Sequence, residues 1–562
     1  MRQNDKLLIA KSQDKDLFIL PKMANRHGLI AGATGTGKTV SLKVLAESFS
    51  DIGVPVFLAD VKGDLTGFCT PGADTENVRG RVEKLSLEGF ELKKYPVRYW
   101  DLFGENGVPV RATISDMGPT FLARLFSLTP AQAGVLNIVF KVADESGLLL
   151  HDLKDLRAML AFVGEHRGEY TLTYGNISTA SIGAIQRALL AFEEEDAELF
   201  IGDPSLDILD FMRTDIDGRG YINVLSAQKL IQRPLTYSTF LLWMLSELYE
   251  RLPEVGDPDK PRIVYFFDEA HLIFADCPKE LKDKISQTVK LIRSKGVGLY
   301  FISQIPSDIP GDVLSQLSNK IQHALHAYTP AEQKGIKAAV QGFRVNPELN
   351  TEAVLGELGV GEALVSFLDE NGVPGMVERA KILPPQSLMG QADEASVKRV
   401  IALDEMDLKY REAVDPESAY EIIMAARERL AQAEQEAQEA ALAEKARLQE
   451  QKEQEKLEKQ RIKEEERLEK LRIKEETAAL REQEKAAAKK SAQTKKTAER
   501  AVNSAANSVT RSLTTNLINS ITGTGKVASA QTIGKRAASN AVNSVVRSAT
   551  SSIVRGLFGN KK

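Results

Sequence analysis

The segment Gly32-Ala33-Thr34-Gly35-Thr36-Gly37-Lys38-Thr39 has the spacing G-x-x-x-x-G-K-[ST] of a phosphate-binding loop. Its chemistry follows from residue type. Glycines let successive main-chain N–H groups turn inward around phosphate oxygens, a lysine beside the last glycine reaches the β- and γ-phosphates, and the Thr39 hydroxyl can ligate Mg²⁺. A short apolar run, Gly28 to Ala31, precedes the loop, and a helical pattern of Val40, Leu42, Val44 and Leu45 follows it. That order sets the loop at a helix N-terminus, so Gly32, Ala33, Thr34, Gly35, Thr36, Gly37, Lys38, Thr39 and Val40 are expected to hold ATP with Mg²⁺. The string at residues 522–527 repeats Thr-Gly-Thr-Gly-Lys but lacks a glycine five residues before Gly525 and a hydroxyl after Lys526. It is set aside.

A phosphate loop specifies binding, whereas hydrolysis also needs carboxylates. Ile263-Val264-Tyr265-Phe266-Phe267 followed by Asp268-Glu269 reads as an apolar strand ending in two acids. Asp268 is expected in the Mg²⁺ shell and Glu269 as the base for the attacking water. The string Asp268-Glu269-Ala270-His271 also spells the signature of a helicase class with tandem motor domains, but only one phosphate loop is present. His271 is therefore read as supporting the site or a subunit contact. The next apolar run, Gly298 to Ser303, ends at Gln304, whose amide could report the γ-phosphate. Cations at a helix end, Arg293 and Lys295, could complement the helix dipole, or one could enter a neighbouring subunit's site; Arg293 is preferred because a planar guanidinium suits phosphoryl oxygens. Asp60 and Lys62 are further candidates, at the carboxyl end of another strand, with a structural turn as the alternative.

These residues need a sheet to position them. Across residues 1–400 short β-branched or aromatic runs alternate with helix-length periodic segments, the pattern of an α/β fold with a mostly parallel sheet. Strands are expected at 55–59, 97–100, 221–225, 263–267, 299–303, 321–326 and 363–368, several of them continuous apolar runs suited to a sheet covered on both faces. The expected organisation is a core in two parts, 1–119 with the phosphate loop and 213–400 with the acid pair and Gln304. A mostly helical insertion at 120–212 separates them. A long charged helix or coiled coil at 401–500 and a basic tail rich in Ser, Asn and Ala at 501–562 follow.

The long helix is read from residues 418–500, which hold no Pro or Gly, and it contains an eleven-residue repeat at Leu457 and Leu468. Its apolar stripe is thin, so both a solvated helix laced by i,i+4 charge pairs and a weakly right-handed coiled coil remain open. Charge is uneven. Of the net −5, residues 481–562 carry 15 Lys/Arg against 3 Asp/Glu, or +12, which leaves −17 for the rest. The tail could suit nucleic acid, an anionic membrane surface or another subunit, or stay solvated. Two cysteines, Cys69 and Cys277, support neither a disulfide framework nor a zinc site, and no apolar run reaches membrane-spanning length. A cytoplasmic, reducing setting is expected.

Taken together, Gly32 to Thr39, Ala59-Asp60-Val61-Lys62-Gly63-Asp64, Phe266 to His271 and Phe301 to Pro310 resemble the HerA/FtsK superfamily of ring-forming ATPases. The similarity is greatest to its bacterial HerA-like branch, and the string Gln304-Ile305-Pro306-Ser307-Asp308-Ile309-Pro310 is the most distinctive part. The resemblance covers residues 5–400. It implies a RecA-like core in a hexameric ring, with Asp268, Glu269 and Gln304 at the hydrolytic site and Arg293 as an arginine finger in trans. It also implies DNA as the translocated polymer. A motor for protein, secretion or conjugation substrates and a nucleotide-switched scaffold at a membrane or nucleoid are the competing expectations. The chain departs from archaeal HerA in having no N-terminal β-barrel before the loop and in carrying the helical insertion.

Overall fold

The computed structural model describes residues 2–491, apart from 4, 14, 195, 276–278 and 326–329. Among these the strands are β1 (Arg2–Gln3), β2 (Lys6–Lys11), β3 (Asp16–Ile19), β4 (Gly28–Ala31), β5 (Val56–Asp60), β6 (Val97–Asp101), β7 (Val108–Pro109), β8 (Ile222–Ser226), β9 (Ile263–Phe267), β10 (Val297–Ser303), β11 (Asn319–Gln322), β12 (Glu362–Ser366) and β13 (Glu378–Ile382). They join in one sheet, ordered β1-β2-β13-β12-β11-β4-β10-β9-β5-β8-β6-β7, with β3 beside β2.

From β11 to β7 every pairing is parallel, and the strands β4, β5, β9 and β10 are buried along their whole length. Continuous apolar runs produce this because helices cover both faces. The remaining strands, β12, β13, β2, β3 and β1, pair antiparallel. The expected strand at 321–326 is shorter and earlier, with its end beyond residue 325 outside the described residues. Strands β1 to β3, β7 and β13 were not legible as strands. In β13 the charged Arg379 and Lys381 alternate with buried Ala380 and Ile382, because only one face is buried.

Helix α1 (Lys38–Asp51) runs from the phosphate loop under the sheet. Phe49 near its far end packs on Phe266 of β9 and Tyr300 of β10, with ring centroids 6.3 and 5.9 Å apart, and those two rings lie 5.1 Å from each other. These contacts fix the loop's helix to the strand that carries the acids. Buried Glu47 on the same helix accepts from the N–H groups of Gln386 (2.8 Å) and Ser387 (3.0 Å) and from the Ser387 hydroxyl (2.6 Å), so it fastens the crossing segment after β13. A buried carboxylate with three donors is compensated for lost hydration.

Between β7 and β8 the chain forms helices at Ile114–Leu125, Pro130–Glu145, Leu153–Glu165, Arg167–Tyr174 and Thr179–Glu193. Thr113, Thr129 and Asp152 begin three of them with reciprocal capping boxes. The long helix spans Ala419–Ser491. Residues 1–423 form one compact unit. In the second unit the described helix is solvated, with Leu457, Leu468 and Ile473 all more than half exposed. The basic tail lies outside the described residues.

Candidate nucleotide site

The parallel order sets the geometry. Strand β10 lies between β4, which feeds the phosphate loop, and β9, which ends in the two acids, with Phe301 level with Leu29 on one side and Phe267 on the other. The carboxyl ends of β4, β9 and β10 therefore open onto one edge, where ligands of such sheets bind. Gly32 donates its N–H to the carbonyls of Ser303 (3.3 Å) and Gln304 (3.1 Å), which brings Gln304 to the base of the loop.

The loop needs its glycines. Gly32, Gly35 and Gly37 have φ of 154°, 78° and 116°, a region that L side chains avoid. A Cβ at Gly32 would also lie 2.5 Å from His323, and one at Gly37 would lie 3.2 Å from Gly361. Gly37 caps α1 without a side chain, which leaves the first helical N–H groups for an anion. Lys38 is buried, and its Nζ donates to the loop carbonyls of Gly32 (2.6 Å) and Ala33 (3.3 Å). Burial lowers its pKa, against the nearby carboxylates of Glu269 and Asp268.

The acids are held differently from each other. Asp268 is 6% exposed and accepts from the Glu269 N–H at 2.9 Å; burial pushes it up to about 7 although Lys62 pulls it down. Glu269, equally buried, resists burial because Lys62 bonds to it and Lys38 adds a second charge, so its pKa is lowered. The Lys62 ammonium lies 2.6 Å from Glu269 Oε1, and His271 Nδ1 lies 3.3 Å from Oε2. Asp60 makes the turn that presents Lys62, accepting from the N–H groups of Gly63 (2.7 Å) and Leu65 (3.0 Å). Both of its carboxylate oxygens are thus used within the turn.

Thr39 Oγ1 faces Asp64 Oδ2 at 3.4 Å, and Asp64 Oδ1 is buried without a hydrogen-bond partner. Among the described residues no cluster of three or more His, Cys, Asp or Glu could cage a metal on its own. The donor set, one hydroxyl with carboxylates at hand, suits Mg²⁺, which keeps several waters and draws its other ligands from phosphate oxygens.

Arg293 is elsewhere. It lies in the turn Ile292–Lys295 that leads into β10, at the opposite end of the strands from Glu269, and its Nη2 pairs with Asp257 Oδ1 at 2.9 Å. With strands of five residues between them, roughly 17 Å of sheet separates the two ends, beyond the reach of an arginine within one chain.

Two supports of the loop escaped the sequence reading. His323, buried just beyond β11, has Nε2 2.8 Å from Ser41 Oγ and Nδ1 2.9 Å from the Glu362 carbonyl. Burial holds its pKa down at about 4, so it is neutral. Arg81 in helix α2 (Glu76–Lys84) donates to the carbonyls of Gly361 and Ile382, and Gly361 N–H donates to Thr36 at 3.0 Å. Beside them a recess of about 1300 Å³ opens next to the loop, lined by Val40, Arg81, Gly361, Pro384 and Leu388 among others. The strand that ends just before His323 reads Asn-Lys-Ile-Gln and gives no local signal of a support for the loop.

The model of the helicase HerA-like C-terminal family matches residues 5–524. The chain belongs to that family. The match runs well past residue 400, into the long helix and beyond it. Among curated relatives, the DNA double-strand break repair helicase HerA of Saccharolobus solfataricus is 25% identical over 346 residues, 60% of this chain and 61% of that protein. A Methanocaldococcus jannaschii protein named "Probable helicase" is 34% identical over 154 residues, 26% of this chain and 28% of the other. The chain thus spans less than two thirds of these relatives. Solved structures with a similar fold include VirB4 of Thermoanaerobacter pseudethanolicus, at 17% identity and a TM-score of 0.43, covering 68% of this chain and 97% of that one. The bacterial conjugative coupling protein TrwB is another, at 14% identity and 0.46, covering 70% and 93%.

Proposed function

We propose that the chain is a Mg²⁺-dependent ATPase that works as a hexameric ring and couples hydrolysis to movement along DNA. One observation carries the hydrolytic part: the phosphate loop and the Asp268-Glu269 pair open on the same sheet edge, with Glu269 charge-coupled to Lys38. In this reading the loop N–H groups and Lys38 bind the phosphates, and Mg²⁺ at Thr39 and Asp268 supplies neutralisation of the charge that develops on them. Glu269 takes the proton of the attacking water, and Gln304 orients that water or the γ-phosphate. The recess beside Val40 and Arg81 takes the base and ribose. Arg293 serves the neighbouring subunit, which agrees with its distance from its own chain's acids. DNA as the polymer is supported by family membership and by the name of the relative HerA.

The test is ATP turnover by the full chain with and without linear duplex DNA, alongside a native mass. Lys38→Ala abolishes binding or turnover, while Glu269→Gln binds ATP and turns over about 100-fold or more slowly, the contribution of a general base. Unimpaired turnover in Glu269→Gln overturns the hydrolytic assignment. Turnover that ignores DNA but responds to lipid or to a protein partner favours a scaffold or a motor for another substrate.

A further inference from the structure

Two side chains from neighbouring strands meet at the mouth of the site. Lys62 follows β5 and Glu269 follows β9, strands that lie side by side. The lysine side chain is 41% exposed and the glutamate side chain 7%, and the two are 2.6 Å apart. The turn beneath Lys62 is braced by hydrogen bonds: Asp60 accepts two of its N–H groups, and Gly63 takes the left-handed φ of 79° that the turn needs. The backbone is therefore fixed, while the flexible four-carbon arm can swing.

A general base must offer a carboxylate oxygen within hydrogen-bond reach of the water it deprotonates. Here Oε1 of Glu269 is taken by an ammonium, and Oε2 is buried 3.3 Å from His271 Nδ1 with no hydrogen bond of its own. Glu269 also has φ of 47°, a region that costs a non-glycine residue on the order of 1 kcal/mol, so its pose is held by surrounding contacts and not by local preference. Because the outer half of Lys62 is open, an anion at the mouth can draw the ammonium away without moving the turn.

We propose that Lys62 is a positioning residue that holds the Glu269 carboxylate off the attacking water, and that the phosphodiester backbone of DNA frees it by taking the ammonium. This rests on the ATPase reading above. It makes the pair a brake released by the polymer, so that ATP is spent when there is something to move. Lys62 acts here through the Glu269 carboxylate.

The experiment compares kcat and KM for ATP in the full-length wild type, Lys62→Met and Lys62→Arg, each with and without linear duplex DNA. Glu269→Gln serves as the inactive reference, and nucleotide binding and thermal unfolding report folding. Lys62→Met raises basal kcat about tenfold or more, leaves KM unchanged and removes the DNA increment, whereas Lys62→Arg keeps a low basal rate and responds to DNA. A folded, nucleotide-binding Lys62→Met protein whose basal kcat equals or falls below wild type overturns the brake. Wild-type turnover that DNA leaves unchanged overturns its release by DNA. Failure of the ATPase reading looks different: wild type then hydrolyses no ATP, or Glu269→Gln hydrolyses it as fast as wild type.

Discussion

His323 Nε2 lies 2.8 Å from Ser41 Oγ, joining the end of β11 to the second turn of α1 directly beneath the phosphate loop. With Nδ1 donating to the Glu362 carbonyl, the neutral ring has both nitrogens occupied, and Gly32 and Gly37 pack on its side. His323→Ala strands a buried hydroxyl and a carbonyl and opens a cavity, so it should cost about 2–4 kcal/mol of stability. It should also weaken ATP binding, since the loop loses its floor. Urea unfolding and a nucleotide titration check both; an unchanged affinity in a destabilised protein would separate His323 from the loop's shape.

Thr39 and Asp64 make a second prediction, about the metal. Asp64 stands 3.4 Å from the hydroxyl expected in the Mg²⁺ shell, and its other oxygen is buried and unpartnered. Groups of this kind orient ligands or waters around an ion and typically change metal affinity by about tenfold or more when removed. Asp64→Asn should raise the Mg²⁺ concentration for half-maximal turnover by about tenfold while nucleotide binding in EDTA stays as in wild type. Removing Mg²⁺ should stop turnover in both proteins. An unshifted Mg²⁺ titration would make Asp64 a surface partner of Thr39 and no more.

Arg293 allows a test that a structural role cannot imitate. Its bond to Asp257 is half exposed, so breaking it should cost little stability, about 1 kcal/mol or less. As a finger in trans it should instead cost about 100-fold or more in kcat. Mixing Arg293→Ala with Glu269→Gln subunits should restore turnover at those interfaces where an intact Arg293 meets an intact Glu269. Two inactive proteins that give no activity on mixing, while still assembling together, would remove Arg293 from the mechanism.

How much of this could be read beforehand depends on the distance over which residues cooperate. The loop and its helix, and β9 with its two acids, are contiguous, and their spacing alone carries their chemistry. The parallel strands other than the two-residue β7 were legible, several of them because burial on both faces demands continuous apolar runs. Strands β2 and β13 pair at an antiparallel flank, where β2 offers only the four-residue run Leu7 to Ala10 between two lysines and β13 sets Arg379 and Lys381 beside Ala380 and Ile382. His323 and Ser41 are 282 positions apart, and no local pattern announces their meeting. Lys62 was legible as a residue at a strand end, but its partner followed only from the β5-β9 pairing. The tail's charge was plain from composition, and the readings made of it fall outside the described residues.

His27 makes acid sensitivity a property of the fold's far edge, away from the nucleotide loop. Its Nε2 donates to the Val289 carbonyl at 2.9 Å and its Nδ1 accepts from Leu299 N–H at 3.0 Å, so one neutral tautomer is fixed. Burial first, with the charge of Arg293 adding to it, lowers its pKa from 6.5 to about 4, and that arginine is paired with Asp257. Below the unfolded pKa the unfolded chain binds a proton that the folded chain refuses. Stability contributed by His27 is therefore complete at neutral pH and falls as pH drops from about 6.5 towards 4, by roughly 3 kcal/mol in all. His323, lowered to about 4 as well, adds a second loss over the same window. Urea unfolding at about pH 7 and about pH 4.5 should show His27→Gln less stable throughout but with a shallower pH dependence than wild type, by close to one proton. Identical slopes in the two proteins would mean that His27 is not held neutral by its surroundings.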